Sequence, residues 1–404
     1  MSVSSQSRRV NDPTRVDMVT KKDTLSVTFV CPNDNQSGGT RVVAIYADHL
    51  ARRGHDVTVV FPRSRPPSLR ERTRSLIRER VWIPRFSISK CSFFQDASVR
   101  VLRLQHFGPV KDGDLPDADV VIASWWETAE WVAELSATKG AKVYFIQHHE
   151  IHDFLPIERS KATYKLPLHK IVIAPWLKRV MKEQYGDSVV DLVPNSVDRR
   201  QFFASVRRKQ STPSIGFLYA SAPFKGLDIT LAAIQIVRER FPELRCISFG
   251  SERVYSHLAL PEGTEFHRSP PQNEIRNLYA RCDTWITASR SEGFNLPALE
   301  AMACGTPVVS TRTGWPEEAI KTGWNGVLVS VDDVADLARG VEWVVSRSDE
   351  EWTNLSSNAY ETASMGSWEE STRAFEVALK HACRRAARGE IQGKCRYIVP
   401  LFAT

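Results

Sequence analysis

The chain has 404 residues, which is too long for one ordinary hydrophobic core and enough for two α/β domains of about 200 residues each. Hydrophobic residues make up 42% and charged residues 25% of it, as in globular proteins, and no apolar run reaches the roughly 18–20 residues of a membrane-spanning helix. The net charge of +7 favours an anionic partner without choosing among nucleic acid, anionic lipid and phosphorylated small molecules.

The first half of the chain begins with a polar segment and continues as alternating strands and helices. Residues 1–23 are rich in serine and arginine and lack an apolar segment, which predicts a disordered leader rather than a secretory signal. A strand over residues 25–32 leads through a glycine-containing loop into a helix over 40–53, as in a βαβ unit. Further strands are predicted at 55–61, 99–104, 120–123, 142–146, 171–174 and 189–193.

Two features bear on where the protein works. Residues 63–85 contain eight arginines and two glutamates, interleaved with apolar residues such as Trp82. We interpret them as a solvated basic surface, and the alternative is an arm that rests on an anionic membrane or holds an anionic acceptor. The seven cysteines are scattered and form no CxxC pair, so we expect a cytoplasmic protein, on the inner face of the cell membrane if the alternative holds.

The second half repeats the alternation after a linker. Residues 194–214 are polar and basic, with a proline near each end, and predict that linker. Strands are predicted at 215–219, 245–249, 284–287, 307–310 and 326–330, and helices at 227–241, 272–280, 297–303, 333–345, 350–363 and 367–387. The fold class is therefore α/β, with two Rossmann-like domains facing each other across a cleft. We assign an N-terminal domain to 24–198, a C-terminal domain to 199–368, and a final helix and tail packing back towards the N-terminal domain to 369–404.

The most informative stretch is residues 289–311, SRSEGFNLPALEAMACGTPVVST. It follows a predicted buried strand, turns at Gly293, where the missing side chain lets the backbone approach a ligand, and opens a helix with Pro297 in its first turn. The N–H groups and the dipole at a helix start favour a bound diphosphate. Glu292 in the loop and Glu300, eight residues later and just over one turn into the helix, are placed to face one ligand from different heights.

This stretch resembles the family 4 retaining glycosyltransferases, which have the GT-B fold. They carry two glutamates separated by seven residues, followed by Ala-Met-Ala and Gly-Thr-Pro segments, as this chain does. The resemblance extends over about residues 25–368 and includes, in order, GGTRVVAIYADHLARRGHDVTVV, VPNSVD, PFKG, TGWPEEAI and GWNGVLV. The combination in this order is specific, whereas each piece alone is weak.

The resemblance implies roles for the residues of this stretch. Glu292 would contact the donor sugar, and Glu300 would hold the ribose hydroxyls of the nucleotide, for which a carboxylate is a suitable acceptor. Backbone amides around Phe294, Asn295 and Leu296 would cradle the distal phosphate and the sugar.

Lys225 opens a helix and is implied to neutralise the diphosphate, which helps the nucleoside diphosphate leave. The family usually has an arginine five residues earlier, where this chain has Ala220. Three explanations stay open: Lys225 works alone, another basic residue such as Arg253 or Arg290 substitutes, or the donor binds more weakly. Glu317 matches a family position beside the nucleotide.

The first domain is implied to supply the other side of the site. Gly38 and Gly39, with Arg41 at the start of the next helix, would let the loop close over the donor phosphate and the acceptor. The family has a histidine that contacts the donor sugar, and we prefer His148 to His149 for it. The nearby spacing HHEIH lacks the HExxH separation of zinc sites, so we expect no metal.

The resemblance bears on three further residues. Gln147 and Glu150 resemble a subset of the family that acts on bacterial polysaccharides. Asn195, in the linker, approaches the active site in the family, although hydrogen bonds that shape a turn explain it equally well.

The function that follows is sugar transfer with retention, from a nucleotide-diphosphate sugar to a hydroxyl of a glycan, lipid-linked or small-molecule acceptor, as in bacterial surface polysaccharide synthesis. The resemblance implies front-face attack, a hexosyl or deoxyhexosyl group, and no cofactor besides the nucleotide sugar itself. A nucleotide-sugar epimerase or a phosphorylase on the same fold is the alternative. A basic nucleic-acid-binding protein is less favoured, because the arginine stretch lacks the aromatic arrangement of a base-stacking surface, so we expect no nucleic-acid partner.

Overall fold

The computed structural model describes residues 24–63, 92–95 and 97–393. The predicted leader, residues 64–91 and the tail from residue 394 lie outside the described residues, and with them all of the arginine-rich stretch except Arg63, and also Cys91 and Cys395. The five cysteines that are described are buried free thiols. Within the described part of the chain, no helix has the length and apolarity to cross a membrane.

The first domain is built on a parallel sheet that has seven strands among the described residues, in the order β3-β2-β1-β4-β5-β6-β7. Short runs rich in valine and isoleucine form these strands, and most of their side chains are buried because helices cover both faces. The strands are β1 Ser26–Val30, β2 Asp56–Phe61, β3 Arg100–Arg103, β4 Val120–Ala123, β5 Ala141–Ile146, β6 His169–Val172 and β7 Val190–Leu192. Its helices are α1 Gly38–Arg52, α2 Trp126–Glu134, α3 Ile157–Thr163 and α4 Pro175–Tyr185.

The second domain repeats the architecture with a six-stranded parallel sheet, in the order β10-β9-β8-β11-β12-β13 within the described chain. Its strands are β8 Ser214–Leu218, β9 Arg245–Gly250, β10 Glu265–Arg268, β11 Thr284–Thr287, β12 Val308–Thr311 and β13 Gly326–Val329. Its helices are α5 Leu227–Arg240, α6 Gln272–Ala280, α7 Leu296–Ala303, α8 Trp315–Ala319, α9 Val334–Val345 and α10 Asp349–Ala363. The strand order reverses between β8 and β11, and the crevice at such a switch point is where open α/β sheets bind ligands.

Most predicted elements lie within one or two residues of the observed bounds, but β6 shows why some do not. The prediction began at residue 171, whereas the strand begins at His169 and ends at Val172. His169 and Lys170 are buried despite their polarity, because His169 hydrogen-bonds Asp191 and Lys170 pairs with Asp187. A hydrophobicity pattern misses a strand that starts on paired polar residues. Helices α2, α3, α4 and α8 and strand β10 were not predicted either.

The last helix, α11 Trp368–Ala387, crosses back from the second domain onto the first. Phe375 is fully buried there and stacks on Tyr46 of α1, with ring centroids 4.5 Å apart. Arg53 donates two hydrogen bonds to Glu376 of α11, at 2.7 and 2.9 Å. The contacts attach the end of the second domain to the core of the first.

A polar cluster adds to this attachment. His169, Asp191 and His381 hold their ligand-type atoms within 4.8 Å of one another. Arg385 donates to Nδ1 of His169 over 3.1 Å, so in the neutral ring Nε2 carries the proton and donates to Asp191. That tautomer does not offer Nε2 to a cation, and the arginine beside it is itself positive. We therefore interpret the cluster as a group of hydrogen bonds that holds α11 against β6 and β7.

Candidate active site

The candidate site lies at the switch point of the second sheet. The loop after β8 carries Lys225 in a short 3-10 turn, and the loop after β11 carries Glu292. Gly226 has a left-handed backbone with φ of 62°, and a Cβ there would stand 1.9 Å from the carbonyl oxygen of Ala288. Glycine thus lets the two loops pack backbone to backbone, which fixes Lys225 relative to Glu292.

Lys225 and Glu292 form an ion pair in this crevice. The Lys225 Nζ lies 2.7 Å from Oε1 of Glu292, and the hydroxyl of Ser289 donates to the same oxygen at 2.7 Å. The Glu292 side chain is 8% exposed and that of Lys225 is 26% exposed. One positive and one negative group therefore stand side by side and are partly shielded from water. Their interaction with a charged ligand is screened less than it would be on an open surface.

Helix α7 starts immediately after this pair, with Asn295 as its N-cap. Asn295 adopts a left-handed backbone with φ of 78°, and its side-chain oxygen accepts from the N–H of Ala298. Its side-chain nitrogen donates to Thr287 over 3.1 Å. The Asn295 side chain is therefore committed to capping, so only its backbone N–H is available for the ligand role expected of it.

Glu300 lies one turn into α7 and is joined to the first domain. The guanidinium of Arg41, from the first turn of α1, lies 2.6 Å from Oε1 of Glu300. The other oxygen, Oε2, accepts from the hydroxyl of Tyr279 over 3.0 Å. Burial, together with Glu300, raises the pKa of Tyr279 well above its usual value, so the hydroxyl keeps its proton and donates. Both carboxylate oxygens of Glu300 thus have protein partners.

His148 faces the same crevice from the end of β5. Its Nδ1 donates to the backbone carbonyl of His149 over 2.9 Å, since a carbonyl only accepts. Nε2 is then the acceptor of the neutral ring and lies 3.3 Å from the hydroxyl of Ser291. Burial lowers the pKa of His148 from 6.5 to about 4, although the nearby Glu292 opposes the shift. At neutral pH this ring therefore presents an uncharged acceptor to the crevice.

His149 points the other way. Its Nε2 lies 2.7 Å from the hydroxyl of Tyr185, and its ring packs on Tyr164 inside the first domain. Glu150 is also internal: it accepts from the N–H of Trp126 at 2.8 Å, and burial raises its pKa well above the usual value. The structure thus puts His148 in the crevice, whereas the His149 side chain packs inside the first domain, away from the proposed substrate position.

The two domains touch at Gly293. A Cβ on Gly293 would stand 1.9 Å from the carbonyl oxygen of Gln147, and the indole N–H of Trp176 donates to the Gly293 carbonyl over 3.0 Å. Gln147 also donates to the carbonyl of Gly39 at 3.2 Å. Gly38, one residue before, has open space around it. The glycine pair and the Glu292 turn therefore meet at Gln147.

The remaining predicted residues differ in how far they are buried. Phe294 is buried and stacks on Trp315, with centroids 5.9 Å apart, and Leu296 is half-buried at the start of α7. Asn195 is buried, and its side-chain oxygen has no hydrogen-bond partner among the described residues. Glu317 is exposed on α8.

The two arginines considered as substitutes for the residue missing at Ala220 are placed differently. Arg290 is held by Asp228 at 2.7 Å and by Asp332 at 2.6 Å, and it also donates to the carbonyl of Pro223. Arg253 lies over the ring of Tyr255. Because two carboxylates already neutralise Arg290, it is a poor candidate for binding a diphosphate.

Comparison with known proteins gives the family. The family model described as Glycosyltransferase Family 4 matches residues 36–201, and the model described as Glycosyl transferases group 1 matches residues 198–362. Together they span both domains in the expected order. The chain belongs to glycosyltransferase family 4. The family resemblance and the GT-B fold predicted from the sequence are confirmed.

Curated relatives of this family 4 chain match it over one part only. The D-inositol 3-phosphate glycosyltransferase of Mycobacterium marinum is 30% identical over 199 residues, which cover 46% of this chain and 42% of that protein. A glycosyltransferase of Methanocaldococcus jannaschii is 29% identical over 160 residues, covering 38% and 44% of the two chains. The chain spans less than half the length of these relatives.

Solved structures match over nearly the whole family 4 chain. Sucrose-phosphate synthase from Thermosynechococcus elongatus superposes with a TM-score of 0.67 at 15% identity. The superposition covers 90% of this chain and 100% of that protein. The Anabaena protein HepE, in complex with UDP and glucose, gives a TM-score of 0.67 at 15% identity and covers 88% and 99% of the two chains. At this identity the likeness supports the GT-B fold.

Sequence reasoning missed three side chains of the site. Tyr279 and Ser289 hydrogen-bond the two glutamates, and Trp176 spans the domains to Gly293. Ser289 was visible as the first residue of the glutamate motif. Nothing in the local pattern around Tyr279 or Trp176 distinguishes them from core aromatic residues.

Proposed function

We propose that this protein is a retaining glycosyltransferase that moves a hexosyl or deoxyhexosyl group from a nucleotide-diphosphate sugar to an acceptor hydroxyl. The observation that carries the proposal is the convergence of two carboxylate–cation pairs on α7. Glu292 with Lys225 stands before the helix start, and Glu300 with Arg41 stands one turn inside it. A helix N-terminus between two such groups suits a ligand that has a sugar, a diphosphate and a ribose in a row.

Each group has a stated task in the proposed reaction. The Lys225 ammonium stabilises the negative charge that grows on the departing diphosphate, and Glu292 orients the donor sugar through its hydroxyls. The neutral Nε2 of His148 accepts a hydrogen bond from the same sugar. The leaving phosphate oxygen takes the acceptor proton on the face from which it departs, so the configuration at the anomeric carbon is kept. The protein contributes position and electrostatic stabilisation, with no metal required.

Donor entry requires the domains to separate. Gly293 touches the backbone of Gln147, and Arg41 bridges to Glu300, so the crevice is closed between them. We propose that the domains open about residues 194–213, admit the nucleotide sugar and close again, which excludes water and limits hydrolysis. The name of the Mycobacterium marinum relative suggests D-inositol 3-phosphate as the acceptor to try first. Bacterial surface polysaccharide synthesis and peripheral attachment to the membrane through residues 63–85 belong to the same proposal.

A thermal-shift screen identifies the donor. Nucleotide sugars with uracil, guanine and thymine bases are added with and without a chelator, and a ligand that binds only the folded protein raises the melting temperature. We expect one base to stand out and the chelator to change nothing. If no nucleotide or nucleotide sugar shifts the melting temperature, the proposed function is wrong.

Two substitutions then separate binding from transfer. Glu300→Ala should weaken binding of the free nucleotide about tenfold, since the ribose loses its acceptor. Lys225→Ala should slow transfer about a hundredfold with a smaller effect on affinity, since it acts mainly on the leaving group. Titration calorimetry and product formation give the two quantities, and Glu361→Ala, an exposed residue of α10, is the matched control. Unchanged nucleotide affinity in Glu300→Ala would exclude this site.

A further inference from the structure

The ion pair between Arg41 and Glu300 occupies the position where a ribose is proposed to bind. Arg41 belongs to the first domain and Glu300 to the second, and 259 residues separate them in the chain. Oε1 of Glu300 faces the guanidinium at 2.6 Å and Oε2 faces the Tyr279 hydroxyl at 3.0 Å. Each carboxylate oxygen can accept more than one hydrogen bond, so a ribose that donates to this carboxylate competes with Arg41 at Oε1.

The pair is shielded enough for the displacement to have a large effect. The Glu300 side chain is 6% exposed and that of Arg41 is 19% exposed, so water screens their attraction poorly. A ribose hydroxyl carries no net charge, so its hydrogen bond to the carboxylate lacks the Coulomb attraction that the guanidinium adds. A ligand offering only ribose therefore gains less binding energy from Glu300 than it would gain from a carboxylate without the ion pair.

A diphosphate on the same ligand reverses this balance. It brings negative charge to a crevice in which Lys225 is already paired with Glu292 and Arg290 with two carboxylates. Position 220, the usual place of a second cation, is alanine. Arg41 is the cation that the incoming ribose releases, and the diphosphate attached to that ribose is the nearest new anion on the ligand.

We propose that Arg41 exchanges partners when the donor binds, leaving Glu300 for the diphosphate and so replacing the cation that Ala220 cannot supply. The inference rests on the proposed function and adds a consequence to it. Arg41 makes nucleosides poor ligands and nucleoside diphosphates good ones, because only a nucleoside diphosphate offers Arg41 a new anionic partner in place of Glu300. The same exchange keeps the first domain attached to the second in both states.

The test compares two ligands on one variant. Arg41→Met removes the charge and keeps most of the aliphatic length, and its affinity is measured by titration calorimetry for the nucleoside and for the nucleoside diphosphate of the base found by the screen. We expect the nucleoside to bind about threefold tighter or better than to the wild type, since nothing competes for Glu300. The nucleoside diphosphate should bind about tenfold more weakly, since its cation is lost.

The controls separate the outcomes. Arg52→Met lies on the same helix, with a side chain that is 67% exposed, and should change neither affinity. Arg41→Lys should recover part of the diphosphate affinity. Arg41 also lines a pocket of about 340 Å³ beside α1. If the displaced side chain moves there instead, Arg41→Met will strengthen both ligands, which overturns the proposal, and so does an equal loss for both. If the wild-type protein binds neither ligand, the proposed function itself is wrong, whatever the Arg41 variants do.

Discussion

At the scale of single residues, the site depends on the absence of a side chain at Gly293. Gly293 has its Cα against the carbonyl of Gln147, and its own carbonyl accepts from Trp176. The first domain therefore packs on the backbone of the very turn that presents Glu292. A side chain at this position would hold the domains apart, and a shift of about 1 Å between reacting groups can lower a rate a hundredfold.

We therefore predict that Gly293→Ala lowers the transfer rate by about ten- to a hundredfold while nucleotide affinity changes much less. The added Cβ would stand 1.9 Å from the Gln147 oxygen, so closure becomes incomplete, whereas Glu300 and α7 are untouched. Rates with the donor identified by the screen and calorimetry with the free nucleotide measure the two effects. Gly113→Ala is the matched control, because a Cβ there meets nothing within 4 Å. A rate equal to that of the control would contradict the prediction.

At the scale of elements, helix α11 joins the domains by burying aromatic residues in the first one. Phe375 lies between Tyr46, Phe145 and Phe29, with centroids 4.5, 5.0 and 6.2 Å away. Trp368, at the start of the helix, meets Tyr46 edge-on at 5.4 Å. The helix is amphipathic, and Val377 on its outer face is 62% exposed. Its buried stripe completes the hydrophobic core of the first domain, although the helix follows the second domain in the sequence.

Phe375→Ala should reduce the free energy of unfolding by about 3–5 kcal/mol, because a fully buried ring is replaced by a cavity. Val377→Ala, two residues away on the same helix, should change it by less than about 0.5 kcal/mol. Urea unfolding of both variants checks this difference. Limited proteolysis of Phe375→Ala should cut α11 early. A small, equal effect of the two substitutions would mean that the helix is not anchored through this ring.

At the scale of the whole molecule, several histidines that are partly or fully shielded from water make stability depend on pH. Burial lowers the pKa of His148 and of His149 from 6.5 to about 4, and it also lowers the pKa of His169. The unfolded chain therefore binds more protons than the folded one between about pH 6.5 and 4. The free energy of unfolding then falls as the pH falls through that window, by at most about 1.4 kcal/mol per pH unit for each histidine.

Asp191 acts in a lower window. Burial alone would raise its pKa, but hydrogen bonds from His169 and His381 outweigh it and lower the pKa from 3.8 to about 2. Its contribution to stability is present above its unfolded pKa and is lost as the pH falls towards 2.

Through these histidines the melting temperature should fall by a few degrees between pH 7 and pH 5, while the buried Glu150, whose pKa is raised, opposes the fall because it takes up its proton first in the folded state. Replacing His148 and His149 together by glutamine should flatten this part of the profile, since neither glutamine takes up a proton. Scanning fluorimetry at constant ionic strength measures it, and His257→Gln, at an exposed site, is the control. A profile of unchanged slope in the double variant would assign the pH dependence to other groups.

How much the sequence predicts is clear from particular elements. The alternation of strands and helices predicted two parallel sheets, because the periods of both elements are local properties. The glutamate motif was correctly placed at a strand end followed by a helix start, which Gly293, Asn295 and Pro297 encode within a few residues. The start of β6 was not predicted, because His169 and Lys170 are buried only through partners elsewhere in the chain.

By itself, the sequence determined the fold class, the family and the position of the glutamate loop, since each depends on neighbouring residues. Only the tertiary structure decided which of two adjacent histidines faces the crevice, and that Asn295 is used as a cap. It also decided that Glu300 is held by Arg41 across the two domains. Pairings between residues far apart in the chain leave no periodic trace, because they arise from how completed elements pack and not from the preferences of the residues beside them.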